Sequence, residues 1–231
     1  MTNKQRVIRA IQHMSTDRIP YSVYFTEPAY KSMQDFCRNF DFYDTLDSHI
    51  CMYEYSHYSE VRPGYFEDHF GVVWNRSGID KDIGLVSNKK LREPSLKGFD
   101  MPPVDEKAVR QIIENGLRSY PDNFNFYCIG FSLFERAWTL CGMEDLLVYM
   151  VLEPKFVHEL MDLITEYNLR ILDIALEYEV DGIHFGDDWG QQQGMIMGST
   201  HWRTFILPRI KRLYGAAKSK GKVVSQHSCG D

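Results

Sequence analysis

Residues 154–190 read PKFVHELMDLITEYNLRILDIALEYEVDGIHFGDDWG, and this stretch decides the fold. Apolar residues recur every three or four positions between Phe156 and Tyr178, which predicts an amphipathic helix over residues 154–179. The next six residues, 180–185, form a short apolar run that predicts a strand. A long helix that leads directly into a short strand is typical of a parallel sheet covered by helices, so the stretch predicts an α/β protein.

The same alternation of strands and helices extends outward from this stretch in both directions. Short β-branched and aromatic runs predict five strands, at residues 19–25, 49–54, 125–131, 180–185 and 222–226. Further helical patterns occupy residues 3–13, 28–39, 105–120 and 200–221, and Pro208 is expected to kink the last of these. Residues 64–93 predict a hairpin with a turn near Gly78 and Ile79.

Two architectures accommodate a parallel sheet of this size, a doubly wound sheet and a (β/α)8 TIM barrel. No Gly-rich loop follows the first predicted strand, which argues against a nucleotide-binding doubly wound sheet. Polar and aromatic residues instead follow several predicted strands, as at the mouth of a barrel. We therefore expect residues 1–231 to form a single domain, the N-terminal five strands of a TIM barrel whose remaining strands lie beyond this chain.

The composition excludes several classes of protein. Hydrophobic residues make up 44% and charged residues 25% of the chain, which is ordinary for a globular domain. The net charge of -6 argues against a nucleic-acid partner, because phosphates require a basic surface. No apolar segment is long enough to cross a membrane, and the first residues do not form a signal peptide. Five irregularly spaced cysteines are typical of reduced thiols, so we expect a cytoplasmic protein.

His227 and Cys229 follow the last predicted strand and are separated by one residue. Side chains two apart on a strand point to the same side, so the imidazole and the sulfur can bind one metal ion, and zinc accepts both. A catalytic zinc usually has three protein ligands. The third would lie beyond Asp231 or be one of three residues within the chain, namely Cys51, Cys128 or His184.

Further polar and aromatic residues follow the other predicted strands. Asp187 and Asp188 are candidate catalytic residues, because a carboxylate at a strand end can hold a proton, orient a substrate or support a metal-bound histidine. Either one of them or neither could have such a role, since aspartates after strands also cap helices and turns. Four more residues are candidates for substrate binding, namely Glu27, Phe131, Glu135 and Trp189.

Three segments resemble the uroporphyrinogen decarboxylase superfamily. They are Asp181-Gly182-Ile183 leading into Asp187-Asp188-Trp189-Gly190, the helix around Phe205-Ile206-Leu207-Pro208, and Val223 to Gly230. This superfamily has a (β/α)8 barrel and includes methylcobamide:coenzyme M methyltransferases. The resemblance is specific mainly over residues 125–230.

Two branches of the superfamily differ in sequence motifs whose corresponding positions are present in this chain. Decarboxylases carry an Arg-Gln-Ala-Gly-Arg segment after the first strand, whereas residues 24–29 read YFTEPA and contain no arginine. The methyltransferases carry His-x-Cys as zinc ligands, which His227 and Cys229 match, together with a cysteine much later in the chain that has no counterpart here.

The resemblance therefore implies a zinc-dependent methyltransferase that moves a methyl group between a corrinoid (methylcobamide) carrier protein and a thiol or a similar small-molecule acceptor. Two alternatives stay open. One is a uroporphyrinogen decarboxylase, which uses no cofactor, and the other is a non-catalytic relative that only binds a corrinoid protein.

Overall fold

The structure is a computed structural model that describes residues 1–38, 42–78 and 82–230. Ile79, near the predicted hairpin turn, lies outside these ranges, as does Asp231. The helices are α1 (Asn3–Ile11), α2 (Glu27–Cys37), α3 (Glu106–Ser119), α4 (Phe134–Cys141), α5 (Met143–Leu152), α6 (Pro154–Ala175), α7 (Gly198–His201) and α8 (Leu207–Ser219). The strands are β1 (Ile50–Tyr53), β2 (Tyr58–Arg62), β3 (Tyr65–Asp68), β4 (Val73–Asn75), β5 (Leu85–Val86), β6 (Phe124–Ile129), β7 (Gly182–Gly186), β8 (Gly190–Gln191), β9 (Gly194–Met195) and β10 (Val223–His227).

A parallel sheet of four strands, in the order β1-β6-β7-β10, carries the site described below. Each neighbouring pair is parallel. These strands correspond to four of the five predicted from the sequence. The mixed α/β class and the parallel sheet are thus confirmed, whereas the described residues do not form a closed barrel.

The predicted strand at residues 19–25 is wrong. Its one backbone link to the sheet region joins the N–H of His49 to the carbonyl oxygen of Tyr21, at 2.9 Å. The N–H of Tyr21 donates instead to the imidazole Nδ1 of His49, at 3.3 Å, and Pro20 has no N–H to offer. Ile19 is 84% exposed. The residue types suit a strand, but among the described residues this segment forms no ladder of backbone hydrogen bonds with the sheet.

The two faces of the parallel sheet contact different layers. Tyr127 and Phe185 belong to the large core that includes side chains of α3, α6 and α8. Phe126 and Cys128 belong to a smaller cluster with Val7 of α1. Gly182 is required where β7 passes Phe126, because a Cβ there would lie 2.4 Å from the ring atom Cε1. One face of the sheet is therefore covered by α3, α6 and α8, and the second, inner face packs partly on α1.

An antiparallel sheet in the order β2-β3-β4-β5 is inserted between β1 and α3, and β3, β4 and β5 lie within the predicted hairpin region. Asp68 in β3 joins this sheet to α4 through a buried ion pair with Arg136, at 2.8 Å. The carboxylate of Asp68 also accepts hydrogen bonds from the backbone N–H of Phe70 and from the indole N–H of Trp74. The insertion is thus anchored beside the C-terminal ends of β1 and β6.

The last predicted helix is divided in the structure. A π-helical segment, Trp202–Ile206, separates α7 from α8, and Pro208 lies in the first turn of α8. Proline cannot donate the usual hydrogen bond inside a helix, so an irregular turn before it is the expected result. Helices α4 and α5 were not predicted from the sequence.

Candidate metal centre

The register between β7 and β10 brings three polar side chains to one face of the sheet. Gly186 pairs with His227 in this register. Two residues further along the chain, Asp188 follows Gly186 and Cys229 follows His227. Because side chains alternate along a strand and paired residues of neighbouring strands share a face, these three side chains emerge on the same side.

The donor atoms of Asp188, His227 and Cys229 lie close together. The imidazole Nε2 of His227 is 3.4 Å from Oδ1 of Asp188 and 3.6 Å from Sγ of Cys229. Sγ of Cys229 is 3.1 Å from Oδ2 of Asp188. One donor atom from each residue can be chosen so that all three lie within 4.8 Å of one another.

These distances fit a zinc ion. Zinc binds nitrogen, oxygen and thiolate sulfur tetrahedrally at about 2.0–2.3 Å, which separates neighbouring donors by about 3.3–3.6 Å. The separations of Nε2 of His227 from Oδ1 of Asp188, 3.4 Å, and from Sγ of Cys229, 3.6 Å, lie in this range. Sγ of Cys229 is 3.1 Å from the other oxygen of Asp188, and with one donor atom from each residue the set lies within 4.8 Å. His227 and Cys229 are exposed and Asp188 is half-buried, so an ion and a further ligand can reach the cluster from solvent. The donor set also suits zinc, which accepts imidazole, thiolate and carboxylate ligands together.

The thiol of Cys229 donates a hydrogen bond to Asp188, and this contact is the main cause of a raised pKa for Cys229. A thiol with a raised pKa keeps its proton at neutral pH. A metal that binds at this sulfur must therefore displace that proton.

Backbone contacts fix the loops that carry the cluster. The N–H of Asp187 donates to the carbonyl oxygen of His227 at 3.2 Å, which extends the pairing of β7 and β10 by one bond. The N–H of Gly190 donates to the hydroxyl oxygen of Ser228 at 3.0 Å. Both loops are thus tied to each other on either side of the three donor side chains.

Asp187 and Asp188 have different positions, because consecutive side chains point to opposite faces. Asp187 is fully buried and accepts hydrogen bonds from the backbone N–H groups of Phe134, at 3.0 Å, and Glu135, at 2.8 Å. Its carboxyl thereby accepts hydrogen bonds from N–H groups that have no partner within the first turn of α4. Burial raises the pKa of Asp187 to about 7, and the backbone hydrogen bonds act in the opposite direction.

Glu135 is half-buried near the two aspartates. Burial, followed by the charges of Asp187 and Asp188, raises the pKa of Glu135 to about 8. Glu135 also acts electrostatically on the thiol of Cys229. Its carboxyl is therefore neutral at pH 7 and can donate a hydrogen bond or a proton beside the cluster.

The other candidates for substrate binding lie in varied surroundings. Trp189 is 9% exposed and packs edge-to-face on Trp202, with 6.0 Å between ring centroids. Phe131 adopts a left-handed conformation with φ of 49° and packs against Trp74. Glu27 is exposed at the start of α2, forms an ion pair with Lys31 and does not belong to the metal-ligand cluster.

None of the third ligands considered from the sequence within the chain joins His227 and Cys229 in the described part of the structure. Cys128 is buried in the inner face, and burial raises its pKa. Burial also raises the pKa of Cys51, to about 11. The imidazole Nδ1 of His184 is 3.0 Å from the hydroxyl of Ser225. Asp188 is the third residue of the cluster instead. Sequence spacing could not reveal this, because it depends on the pairing of β7 with β10.

The fold and the cluster together define a class: an α/β protein with a candidate metal site at the C-terminal edge of a parallel sheet. The family model for uroporphyrinogen decarboxylase (URO-D) matches residues 107–231, which contain three of the four parallel strands and the whole cluster. The chain belongs to this family.

A solved structure described as a methyltransferase from Methanosarcina mazei has a similar fold. The TM-score is 0.68 at 14% sequence identity, and the match covers 100% of this chain and 70% of that one. A comparison with curated proteins gave no match. Among the described residues, no helix combines the length and the apolar character needed to span a membrane.

Proposed function

We propose that this chain belongs to a zinc-dependent methyltransferase that moves a methyl group between a corrinoid carrier protein and a thiol or a similar small acceptor. The observation that carries the proposal is the convergence of Asp188, His227 and Cys229, with donor separations suited to zinc. Membership in the URO-D family and the fold shared with a methyltransferase are consistent with it.

The three side chains would hold the ion, and the exposed side of the cluster would leave a position for the acceptor. Zinc, when bound, stabilises a coordinated thiol as its thiolate at neutral pH. The acceptor sulfur would form a bond to the methyl carbon as the methyl–cobalt bond of the corrinoid substrate breaks, and the electron pair of that bond would stay on cobalt.

Glu135 would bind the substrate beside the metal-ligand cluster. Its neutral carboxyl, with a pKa of about 8, can donate a hydrogen bond to a substrate that lies beside Cys229. Asp187 would act by positioning, since its carboxyl holds the first turn of α4, which carries Glu135. Asp188 would act directly as a ligand.

The name of the family favours a second candidate, decarboxylation of a porphyrinogen, which needs no metal. Substrates with several carboxylates require positive charge, and residues 24–29 contain no arginine. The guanidinium of Arg136 forms a buried ion pair with Asp68, so it is not available to a substrate carboxylate. Asp188 would face such a substrate with a further carboxylate, so the residues favour methyl transfer.

Metal analysis of the purified protein tests the proposal directly. We expect about one zinc per chain in the wild type, by analogy with other three-ligand sites, and loss of that zinc in Cys229→Ala and His227→Ala. Cys37→Ala is the matched control, since Cys37 is also an exposed free cysteine but lies in α2.

Demethylation of methylcobalamin, measured with candidate thiols, is the second part of the test. We expect thiol-dependent turnover that disappears in the two ligand variants and persists in the Cys37 control. Metal-free protein that decarboxylates uroporphyrinogen would refute the proposal and support the second candidate.

A further inference from the structure

One residue from each parallel strand contributes to a row at the edge of the inner face, beside the candidate metal centre. In the order of the strands, β1-β6-β7-β10, these residues are Glu54, Gly130, Gly186 and His227. Glu54 lies two positions after Met52, and Gly130 lies two positions after Cys128, and both of these preceding residues pack on the inner face. Gly186 pairs directly with His227. The row therefore leads from a carboxylate, across two glycines, to a metal ligand.

The carboxylate of Glu54 lies over the backbone of Gly130. Its Oε2 accepts a hydrogen bond from the N–H of Gly130 at 3.2 Å. A Cβ at Gly130 would lie 2.9 Å from this same oxygen. The carboxylate thus occupies the space into which a side chain at position 130 would point, and it faces along the row toward β7.

Gly186 leaves a gap between this carboxylate and the metal ligands. Among the described residues, a Cβ at Gly186 would approach only the Cα of Gly130, at 3.5 Å, which is an ordinary van der Waals contact. Packing therefore does not require a glycine here, and a glycine within a strand often marks a place where a ligand approaches the backbone. Neighbouring strands lie about 4.8 Å apart, so the gap between β6 and β10 is about 10 Å wide.

The carboxylate of Glu54 lacks a cation of its own. Among the described residues it forms no ion pair, and Arg136, which acts on it electrostatically, is paired with Asp68 at 2.8 Å. Partial removal of water raises the pKa of Glu54, and a positive charge beside the carboxyl would favour its ionised form. Glu54 and Gly130 are exposed, so a ligand can enter the gap from solvent. The gap therefore favours a ligand that is positively charged at the end facing Glu54.

We propose that Glu54 selects an acceptor with a positive charge, namely a short aminothiol whose sulfur binds the metal and whose ammonium group faces Glu54 across Gly186. This inference rests on the proposed methyl transfer to a thiol. A zinc–sulfur bond of about 2.3 Å and an ammonium–carboxylate contact of about 2.8 Å leave about 5 Å of the gap for the rest of the acceptor. A chain of two carbon atoms between sulfur and nitrogen spans that length.

Three thiols of equal chain length test the charge preference. Cysteamine carries an ammonium group, 2-mercaptoethanol a hydroxyl group and 2-mercaptoethanesulfonate a sulfonate group. Their dissociation constants can be measured with the purified protein loaded with Co²⁺ in place of zinc, because a bound thiolate changes the absorption of cobalt. We expect cysteamine to bind most tightly and the sulfonate most weakly.

The ratio of the dissociation constants of 2-mercaptoethanol and cysteamine isolates the contribution of Glu54, because the acidities of the two thiols are the same with every variant. We expect this ratio to fall about five-fold in Glu54→Gln, as for the loss of a partly exposed ion pair. Glu60→Gln is the matched control, since Glu60 is also exposed and accepts a backbone N–H, from Gly64 at 3.0 Å, but lies in β2. Gly186→Ala should weaken the binding of all three thiols, because its methyl group would enter the gap.

The outcomes separate this inference from the proposed function. An unchanged ratio in Glu54→Gln, or tightest binding of the sulfonate by the wild type, would overturn the aminothiol and leave methyl transfer to another thiol in place. A cobalt spectrum that responds to none of the three thiols would overturn both.

Discussion

Replacing each of the two adjacent aspartates with alanine separates their roles. The carboxyl of Asp187 is fully buried and accepts two backbone N–H groups at the start of α4, whereas Asp188 faces the metal ligands and is 34% exposed. We therefore expect Asp187→Ala to lower the stability of the fold and Asp188→Ala to lower the affinity for zinc.

The magnitude for Asp187→Ala follows from its hydrogen bonds. The N–H groups of Phe134 and Glu135 lose their acceptor, and each unsatisfied buried donor costs about 1–3 kcal/mol. Two such donors give a loss of about 2–6 kcal/mol in the free energy of unfolding, which corresponds to a decrease of about 4–24 °C in Tm for a chain of this length. Asp188→Ala removes a half-exposed carboxylate, so it should change the free energy of unfolding by less than about 1 kcal/mol.

Urea denaturation followed by circular dichroism measures both effects on stability. The proteins should first be treated with a chelator, since bound zinc would itself add stability to the wild type. A competition assay with a zinc-sensitive dye then gives the affinity of each folded variant. Equal destabilisation by the two substitutions would contradict the assignment of Asp187 to the helix terminus. Unchanged zinc affinity in Asp188→Ala would contradict its role as a ligand.

Three further predictions concern Asp188, His69 and two glycines. Asp188→Asn, which keeps the size of the side chain, should weaken zinc binding by more than about 10-fold, since loss of a group that only supports a ligand already costs that much; dye competition would detect this, and an unchanged affinity would count against the third ligand. His69 has a folded-state pKa of about 4, below its ordinary value of 6.5, so the unfolded chain binds more protons between these pH values and stability falls as the pH decreases. Urea titrations at pH 7 and pH 4.5 should show a loss about 2 kcal/mol larger in the wild type than in His69→Gln, and parallel losses would disprove the assignment. Gly182→Ala, whose Cβ would overlap the ring of Phe126, should cost about 1–3 kcal/mol. Gly215→Ala, in a helix with open space around it, should raise stability by about 0.5–1 kcal/mol, and thermal unfolding distinguishes the two signs.

Periodic patterns predicted the elements that are long or strongly apolar. Helix α6 begins at Pro154 as predicted, and the strands β6, β7 and β10 lie within a few residues of their predicted positions. Residues 19–25 have the composition of a strand, yet they do not form one. The residue types of a segment indicate which secondary structure its side chains favour. A strand also requires a neighbouring segment with free N–H and carbonyl groups. That neighbour is decided by the whole fold.

The sequence alone determined the α/β class, the family resemblance and the proximity of His227 to Cys229, because these depend on local periodicity and on residues two positions apart. Only the tertiary structure separated Asp188 from Asp187. The pairing of Gly186 with His227 sets the register, and side-chain alternation then directs Asp188 to the cluster and Asp187 to the start of α4. A shift of one residue in that register would exchange the two aspartates, since side chains alternate with a period of two.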